Sequence, residues 1–469
     1  MLKSSDSSRG FPSRFILSAA IGLLAFGSQL FAQRSVPTPL VSLDSNGAVS
    51  TVSTTGAIDL TNPFFKKIGT NGRTCLSCHV PSQGWTISPP EVALRFLTTF
   101  GTDPIFRPVD GAVCPSAKVA TVLERVSAYK LLLKKGLFRI SIPVPAGAQF
   151  SIVSIEDPYS CPETTTTQPA LYRRPLPATN LSFLATVMWD GRETFAGESI
   201  AQDLGSQASD ATTGHAQATV APSADQLAQI VAFESSLFTA QTYDNKAGAL
   251  NVEGAQGGPH TLPNEPFFLG INDPLGGNPS GAAFNPNVFN LYDSWLNLAG
   301  NDARSAARRA IARGEALFDT FPISITGVAG LNDALGQPTV KGTCSTCHDS
   351  PNVGNHSLSM ALNIGIADYP AHPGLDISGL PVYTVRCNTT NPPTIMRITD
   401  IGRAMVTGKC ADVGKTKGPI LRGLSARAPY FHNGSAGTLK DVVTFYNMRF
   451  NMGLTLQQQS DLVAFLKSL

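Results

Sequence analysis

A mainly α fold in two units is what this sequence predicts, and three observations carry the prediction. Apolar residues recur at helical spacing behind recognisable caps, one Cys-x-x-Cys-His run stands in each half, and 469 residues exceed what a single hydrophobic core usually holds. A small β-containing insertion in the first unit completes the expectation.

Taken in order, residues 1–32 read as an export signal. Lys3, Arg9 and Arg14 precede an apolar stretch from Phe15 to Gly27, and Leu30-Phe31-Ala32 forms a cleavage site, so the mature chain begins near Gln33. The alternative is an uncleaved anchor, for which the apolar run is short. No later segment is expected to cross a bilayer. Residues 33–60 are rich in Ser, Thr, Val and Pro and read as an extended lead-in.

The first domain covers 61–252. Within it, about 86–175 is an insertion, where Leu137–Ile142 and Phe150–Ile155 alternate around Pro-Ala-Gly as a β-hairpin would. Ser223 and Gln226 make a capping box for a helix carrying Leu227, Ile230, Val231, Leu237 and Phe238. Residues 253–298 form a Gly-, Pro- and Asn-rich linker or long loop, and 299–469 the second domain. There a helix runs from Asp302 to Phe318. Thr438 caps Leu439, Val442, Val443 and Tyr446, and Thr455 with Gln458 caps a final helix.

Charge narrows the function. Lys plus Arg number 35 against 33 Asp plus Glu, a net charge of +2, and no long run of one sign suggests a nucleic-acid footprint. Small molecules and other proteins are the expected partners.

Eight cysteines fall into two kinds. Cys114, Cys161, Cys387 and Cys410 stand alone and allow three pairings; the sequence-local one, Cys114 with Cys161 and Cys387 with Cys410, closes one loop in each half. The other four lie in Cys75-Leu76-Ser77-Cys78-His79 and Cys344-Ser345-Thr346-Cys347-His348. Two thiols one turn apart reach the two vinyl groups on one porphyrin edge, and the adjacent imidazole turns under the ring to bind iron. Zinc would want a second ligand pair close by, and a thioredoxin-type motif a βαβ pattern; neither is present. The two units are therefore expected to be c-type cytochrome domains with two covalently bound haem c groups, His79 and His348 ligating iron.

A sixth ligand decides between electron transfer and chemistry at iron. No histidine lies between His79 and His215, and Met188 adjoins Trp189, so the first haem is the better candidate for an open site. The second half offers His356, His372, His432, Met396, Met405, Met448, Met452 and Tyr446. Tyr446 falls on the apolar face of its helix and reads equally as a ligand or as a buried core tyrosine.

With these motifs, with Trp189-Asp190-Gly191-Arg192 and Asp400-Ile401-Gly402-Arg403, and with Gly418-Pro419-Ile420-Leu421-Arg422 running into Ala428-Pro429-Tyr430-Phe431-His432-Asn433-Gly434-Ser435, the chain resembles the bacterial di-haem cytochrome c peroxidase family, MauG-like members included. The likeness spans most of the chain outside 86–175. It implies a periplasmic oxidoreductase, a peroxidatic first haem, electrons from a small donor such as a cytochrome c entering at the second, Trp189 between them, and, as dimers are usual in that family, a homodimer. Trp189 reads otherwise as a large core residue at a domain junction.

Three departures modify what the resemblance implies. No histidine follows the first motif in the window where a displaceable distal ligand is expected, as in the MauG-like members. The methionine ligand expected for the second haem is matched by Tyr446, with Met448 its rival should the helix register slip. The distal glutamate expected about ten residues beyond Gln207 is missing; His215 is the candidate to shuttle a proton between the oxygens of peroxide, the alternative being a surface histidine in a polar loop. Gln207 and Arg192 join His215 on the distal side, Arg192 being alternatively a propionate partner. Arg174 falls where the asparagine ligand of an interdomain calcium is expected, which puts calcium in doubt. Two rival functions stay open: MauG-like oxidation of a protein or organic substrate, and electron transfer without catalysis.

Overall fold

The computed structural model describes residues 34–469; the export segment read at 1–32 lies outside the described residues. Nine α-helices are present among them: α1 Pro89–Thr99, α2 Val122–Ala128, α3 Lys130–Lys135, α4 Ile200–Gly214, α5 Ala224–Ser235, α6 Ala303–Thr320, α7 Ala404–Thr407, α8 Leu439–Arg449 and α9 Leu456–Ser468. They share the fold with six small sheets, so sheet is more prominent than the sequence suggested.

The caps behave as read. Ser223 with Gln226, Thr438 with Asp441 and Thr455 with Gln458 form reciprocal capping boxes, and Asp302 accepts from the amides of Arg304 and Ser305 to start α6. The core of the second half is built where α6 and α9 pack. Phe318 and Phe465 meet at a centroid distance of 5.7 Å, and Phe289, Tyr292 and Trp295 close the cluster. These last three are fully buried although they sit in the stretch read as linker, so its C-terminal part is core; aromatic burial on this scale outweighs loop composition.

Three other expectations are corrected. The lead-in is sheet: Gly47–Ser53 is buried throughout, pairing on one side with Leu40–Asp44 and on the other with Leu237–Asp244. The helix read through Leu237 and Phe238 accordingly ends at Ser235, and those two side chains turn into the strand that receives Gly47–Ser53. The hairpin within the insertion is absent. Phe138–Ser141 pairs with Ala170–Arg173, whereas Phe150–Glu156 pairs with Val382–Cys387 of the second half. Pro143 and Pro145 between the two strands lack the N–H donors a hairpin ladder needs. Phe150 and Ile152 bury instead against Tyr383 and Val385.

Both sequence-local disulfides form, Cys114–Cys161 and Cys387–Cys410. The first ties the insertion to itself. The second staples the sheet on which the insertion docks.

Candidate functional site

Each Cys-x-x-Cys-His run folds into the same single turn. Thr74 N–H donates to Ser77 Oγ at 3.0 Å and Thr343 N–H to Thr346 Oγ1 at 3.0 Å, winding Cys75–Ser77 and Cys344–Thr346 into 3₁₀ turns. The backbone N–H of His79 then donates to Cys75 O at 3.0 Å, and that of His348 to Cys344 O at 3.2 Å. His79 Nδ1 lies 3.0 Å from Trp85 O and His348 Nδ1 2.6 Å from Gly354 O, each carbonyl six residues downstream. A carbonyl on Nδ1 fixes the tautomer whose Nε2 lone pair is free, the arrangement of a metal-ligating histidine. Neither Nε2 has a protein hydrogen bond among the described residues.

Both turns open onto cavities, with 1160 Å³ of empty space at the first and 1450 Å³ at the second, the part open to solvent included. Burial pushes the thiols up, Cys78 to about 11 and Cys344 and Cys347 to about 12. The four thiols are unpaired, and Cys78, Cys344 and Cys347 line cavities whose walls are largely hydrocarbon. Donor set, tautomer and cavity all fit a thioether-bound porphyrin.

In the first cavity Arg192, Gln207 and His215 lie on one lining with Leu204 and Ala211. Gln207 is carried by α4, and His215 is the residue that closes that helix rather than part of a polar loop. His215 Nδ1 is 2.6 Å from Asp110 Oδ2, and Arg73 grips the same carboxylate at 2.7 Å through both of its terminal nitrogens. Burial raises the Asp110 carboxyl, but His215 and Arg73 outweigh it and hold the group below its ordinary value. Arg73 also donates to His215 O at 3.0 Å. The imidazole is thus oriented from behind while 42 % of its side chain stays exposed. Burial lowers His79, and the nearby His215 adds to the effect.

Sequence reasoning missed Asp110, which sits in the insertion with no local motif to mark it. It also missed Glu234, a buried carboxyl of α5 that lines the same cavity. Met188 lines it too.

In the second cavity Tyr446, His432 and Met452 share the lining with His348. Met448 is exposed, so the helix presents Tyr446 rather than its neighbour. Burial raises the Tyr446 phenol, and the Cys347 and Cys344 thiols add to that. His356 faces Asp349 at 3.2 Å and His372 faces Asp368 at 3.4 Å, both away from this lining, and Met396 and Met405 pack under the docking sheet.

Trp189 and Lys417 line both cavities. The indole Nε1–H donates to Arg174 O at 2.8 Å, and Lys417 N–H donates to Trp189 O at 2.9 Å. Among the described residues Lys417 Nζ has one partner, Thr186 O at 2.7 Å, and burial lowers it to about 7. Behind the indole runs a buried ionic chain. Arg192 reaches Asp190 at 3.1 Å, Arg173 binds Asp190 on one side and Asp400 at 2.7 Å on the other, and Asp400 lies 3.6 Å from His432. The two motif carboxylates are thereby joined through one guanidinium. Burial raises Asp190, but Arg173 and Arg192 bring it to about 2. Arg174 is buried without a carboxylate and donates to the carbonyls of Lys135, Ile87 and Arg427.

No protein-family model matches the chain. It is 33% identical over 142 residues to the cytochrome-c peroxidase IdrP2 of Denitromonas iodatirespirans, covering 28% of this chain and 37% of that protein. To IdrP1 of the same organism it is 32% identical over 194 residues, 38% of this chain and 44% of the relative. A 72-residue stretch, 15% of each chain, is 43% identical to the cytochrome c peroxidase Ccp of Escherichia coli. The chain therefore spans less than half the length of the curated relatives it matches. A solved MauG-like protein associated with microbial copper homeostasis aligns over 92% of both chains at 16% identity and a TM-score of 0.38. Over these stretches the chain is similar to curated cytochrome c peroxidases, and each of its two Cys-x-x-Cys-His turns borders a cavity of its own.

Proposed function

We propose that this protein is a di-haem c-type oxidoreductase that reduces hydrogen peroxide at the first cavity, with electrons from a small redox protein entering through the second. The observation that carries the reading is the His215–Asp110 pair on the wall of the cavity that His79 and Cys78 also line. Bound haem would supply the redox-active iron at each site. Cys75 and Cys78 would anchor the first ring with His79, and Cys344 and Cys347 the second with His348.

The chain's own residues do the rest. His215, locked by Asp110 into the tautomer that presents Nε2, takes a proton from one peroxide oxygen and returns it to the departing one. Asp110 is a positioning residue here. Gln207 supplies an amide that can hydrogen-bond peroxide, and Arg192, held by Asp190, keeps a positive charge at the cavity edge. Each peroxide consumes two electrons and two protons and leaves as two waters.

Trp189, shared by both linings, is the route between them. Tyr446 would be the second site's further ligand. A phenolate disfavours reduction of iron, and this observation favours a second use of the same sites, oxidation of a protein or organic substrate as MauG-like relatives do. Arg174 supports a reading without calcium, because its guanidinium already occupies the carbonyls of Ile87, Lys135 and Arg427. Export to the periplasm is consistent with two disulfides, and no helix among the described residues is long and apolar enough to cross a membrane.

The test is an absorption and electron-paramagnetic-resonance spectrum of the purified oxidised protein before and after peroxide. A high-spin ferric signal that peroxide consumes supports the enzyme reading. Two low-spin haems, inert to peroxide both as isolated and after pre-reduction, reduce it to electron transfer alone.

A further inference from the structure

Among the described residues, Glu234 is the one carboxyl lining the first cavity that the reading above does not use. It lies in the last turn of α5, 6 % exposed, among Phe233, Ile230 and Leu237. Its carboxyl makes no hydrogen bond and no ion pair with any side chain among the described residues. Buried carboxyls are ordinarily paired, and one left open toward a cavity has its natural partner in what fills that cavity. The thiol close enough to feel its charge is Cys75, which thioether formation would make non-titrating.

Arg173, Arg174, Arg192, Lys417 and Arg427 line the same cavity, and none of them forms an ion pair with Glu234. Asp203 and Asp210 of α4 bond elsewhere or face solvent, and His215, Asp110 and Arg73 form their own closed set. Asp225, on the same helix, is a full helix length away at its N-terminus. Burial alone sets the Glu234 carboxyl, raising it to about 8.

We propose that Glu234 is a proton-loading site of the first cavity, taking up a solvent proton when the haem held by Cys75 and Cys78 gains an electron and releasing it when the electron leaves. This rests on the haem reading above. The reason is charge balance. A ferric porphyrin core carries one net positive charge and a ferrous core none, so oxidation favours the carboxylate at the ring edge and reduction favours the neutral acid. The residue would thereby hold one of the two protons that peroxide reduction consumes, on the thioether edge rather than at the His215 wall.

The experiment is a spectroelectrochemical titration of the two-haem protein between about pH 6 and pH 9, for wild type, Glu234→Gln and His215→Ala. The midpoint potential of the first haem is expected to fall as pH rises in wild type and in His215→Ala. In Glu234→Gln that slope is lost, while the second haem's behaviour is the same in all three. A redox-difference infrared spectrum supplies an independent reading: wild type shows a protonated-carboxyl band that the Gln variant lacks. An unchanged slope and an unchanged band in haem-loaded Glu234→Gln overturn the inference alone. A wild-type protein that binds no haem overturns both it and the reading beneath it.

Discussion

Trp189 and His432 meet with ring centroids 6.1 Å apart at an interplanar angle of 59°. The contact lies where the two cavities share a wall, and both ring nitrogens of His432 are buried without a hydrogen-bond partner. The indole is held at Nε1 by Arg174 O and packed against a neutral imidazole, on the wall common to both cavities. Replacing Trp189 with Leu is therefore expected to slow electron transfer between the two sites while both haems stay bound. Rapid-mixing spectroscopy of the half-reduced protein reads the transfer directly; an unaltered rate in the Leu variant removes Trp189 from the route.

At the first cavity, His215→Ala should lower the rate of reaction with peroxide by about 10²- to 10⁴-fold, the usual worth of a positioned acid–base group. Asp110→Asn should cost less, because the imidazole remains while its orientation is loosened. Stopped-flow rates at fixed haem content check both. The ordering His215→Ala below Asp110→Asn below wild type is the discriminating result.

The second cavity gives a prediction of opposite kind. Tyr446→Met should raise the midpoint potential of that haem, since a thioether favours reduced iron and a phenolate opposes it. Met448→Leu should leave the potential alone, its side chain being exposed. Potentiometric titration of the two variants compares them. A shift in the Met448 variant and none in the Tyr446 variant would reverse the assignment.

The ionic chain predicts stability. Removing Arg173 leaves Asp190 and Asp400 as buried carboxylates without their shared cation, so Arg173→Met should cost about 3–5 kcal/mol, read from urea unfolding. Acid should act on the same region in two steps. Burial lowers His432 to about 4, from an ordinary 6.5, so between those values the unfolded chain binds a proton the folded one refuses and stability falls as pH drops. Asp190, held at about 2, contributes stability that is present above 3.8 and is lost as pH falls toward 2. His432→Gln should flatten the upper step only, as followed by thermal unfolding across that range.

What the sequence made legible was whatever chemistry confines to neighbouring residues. Thioether attachment dictates three residues within five consecutive positions, and a capping box dictates two residues three apart, so both motifs and the caps at Ser223, Thr438 and Thr455 could be read directly. Asp110 could not, because it reaches His215 only through the folding of an insertion 105 residues away. The strand Leu237–Asp244 continued the apolar pattern of α5, and its partner Gly47–Ser53 lies almost 190 residues upstream, as the Thr51–Thr239 hydroxyl contact records. Helix α4 was hidden by its own composition: Ser, Thr, Gly and Asp are weak helix formers, and tertiary packing of Leu204 and Ala208 decides the matter. Glu234 was concealed between the apolar residues of α5 and those of the strand that follows it.

The proposed chemistry at both cavities requires two covalent porphyrins. Intact mass spectrometry of the protein purified from a host able to mature c-type cytochromes, paired with a pyridine haemochrome assay, measures this directly. The expected result is the polypeptide mass plus two haems, falling to one in either the Cys75→Ala/Cys78→Ala or the Cys344→Ala/Cys347→Ala variant. A colourless protein with the mass of the bare polypeptide would contradict it.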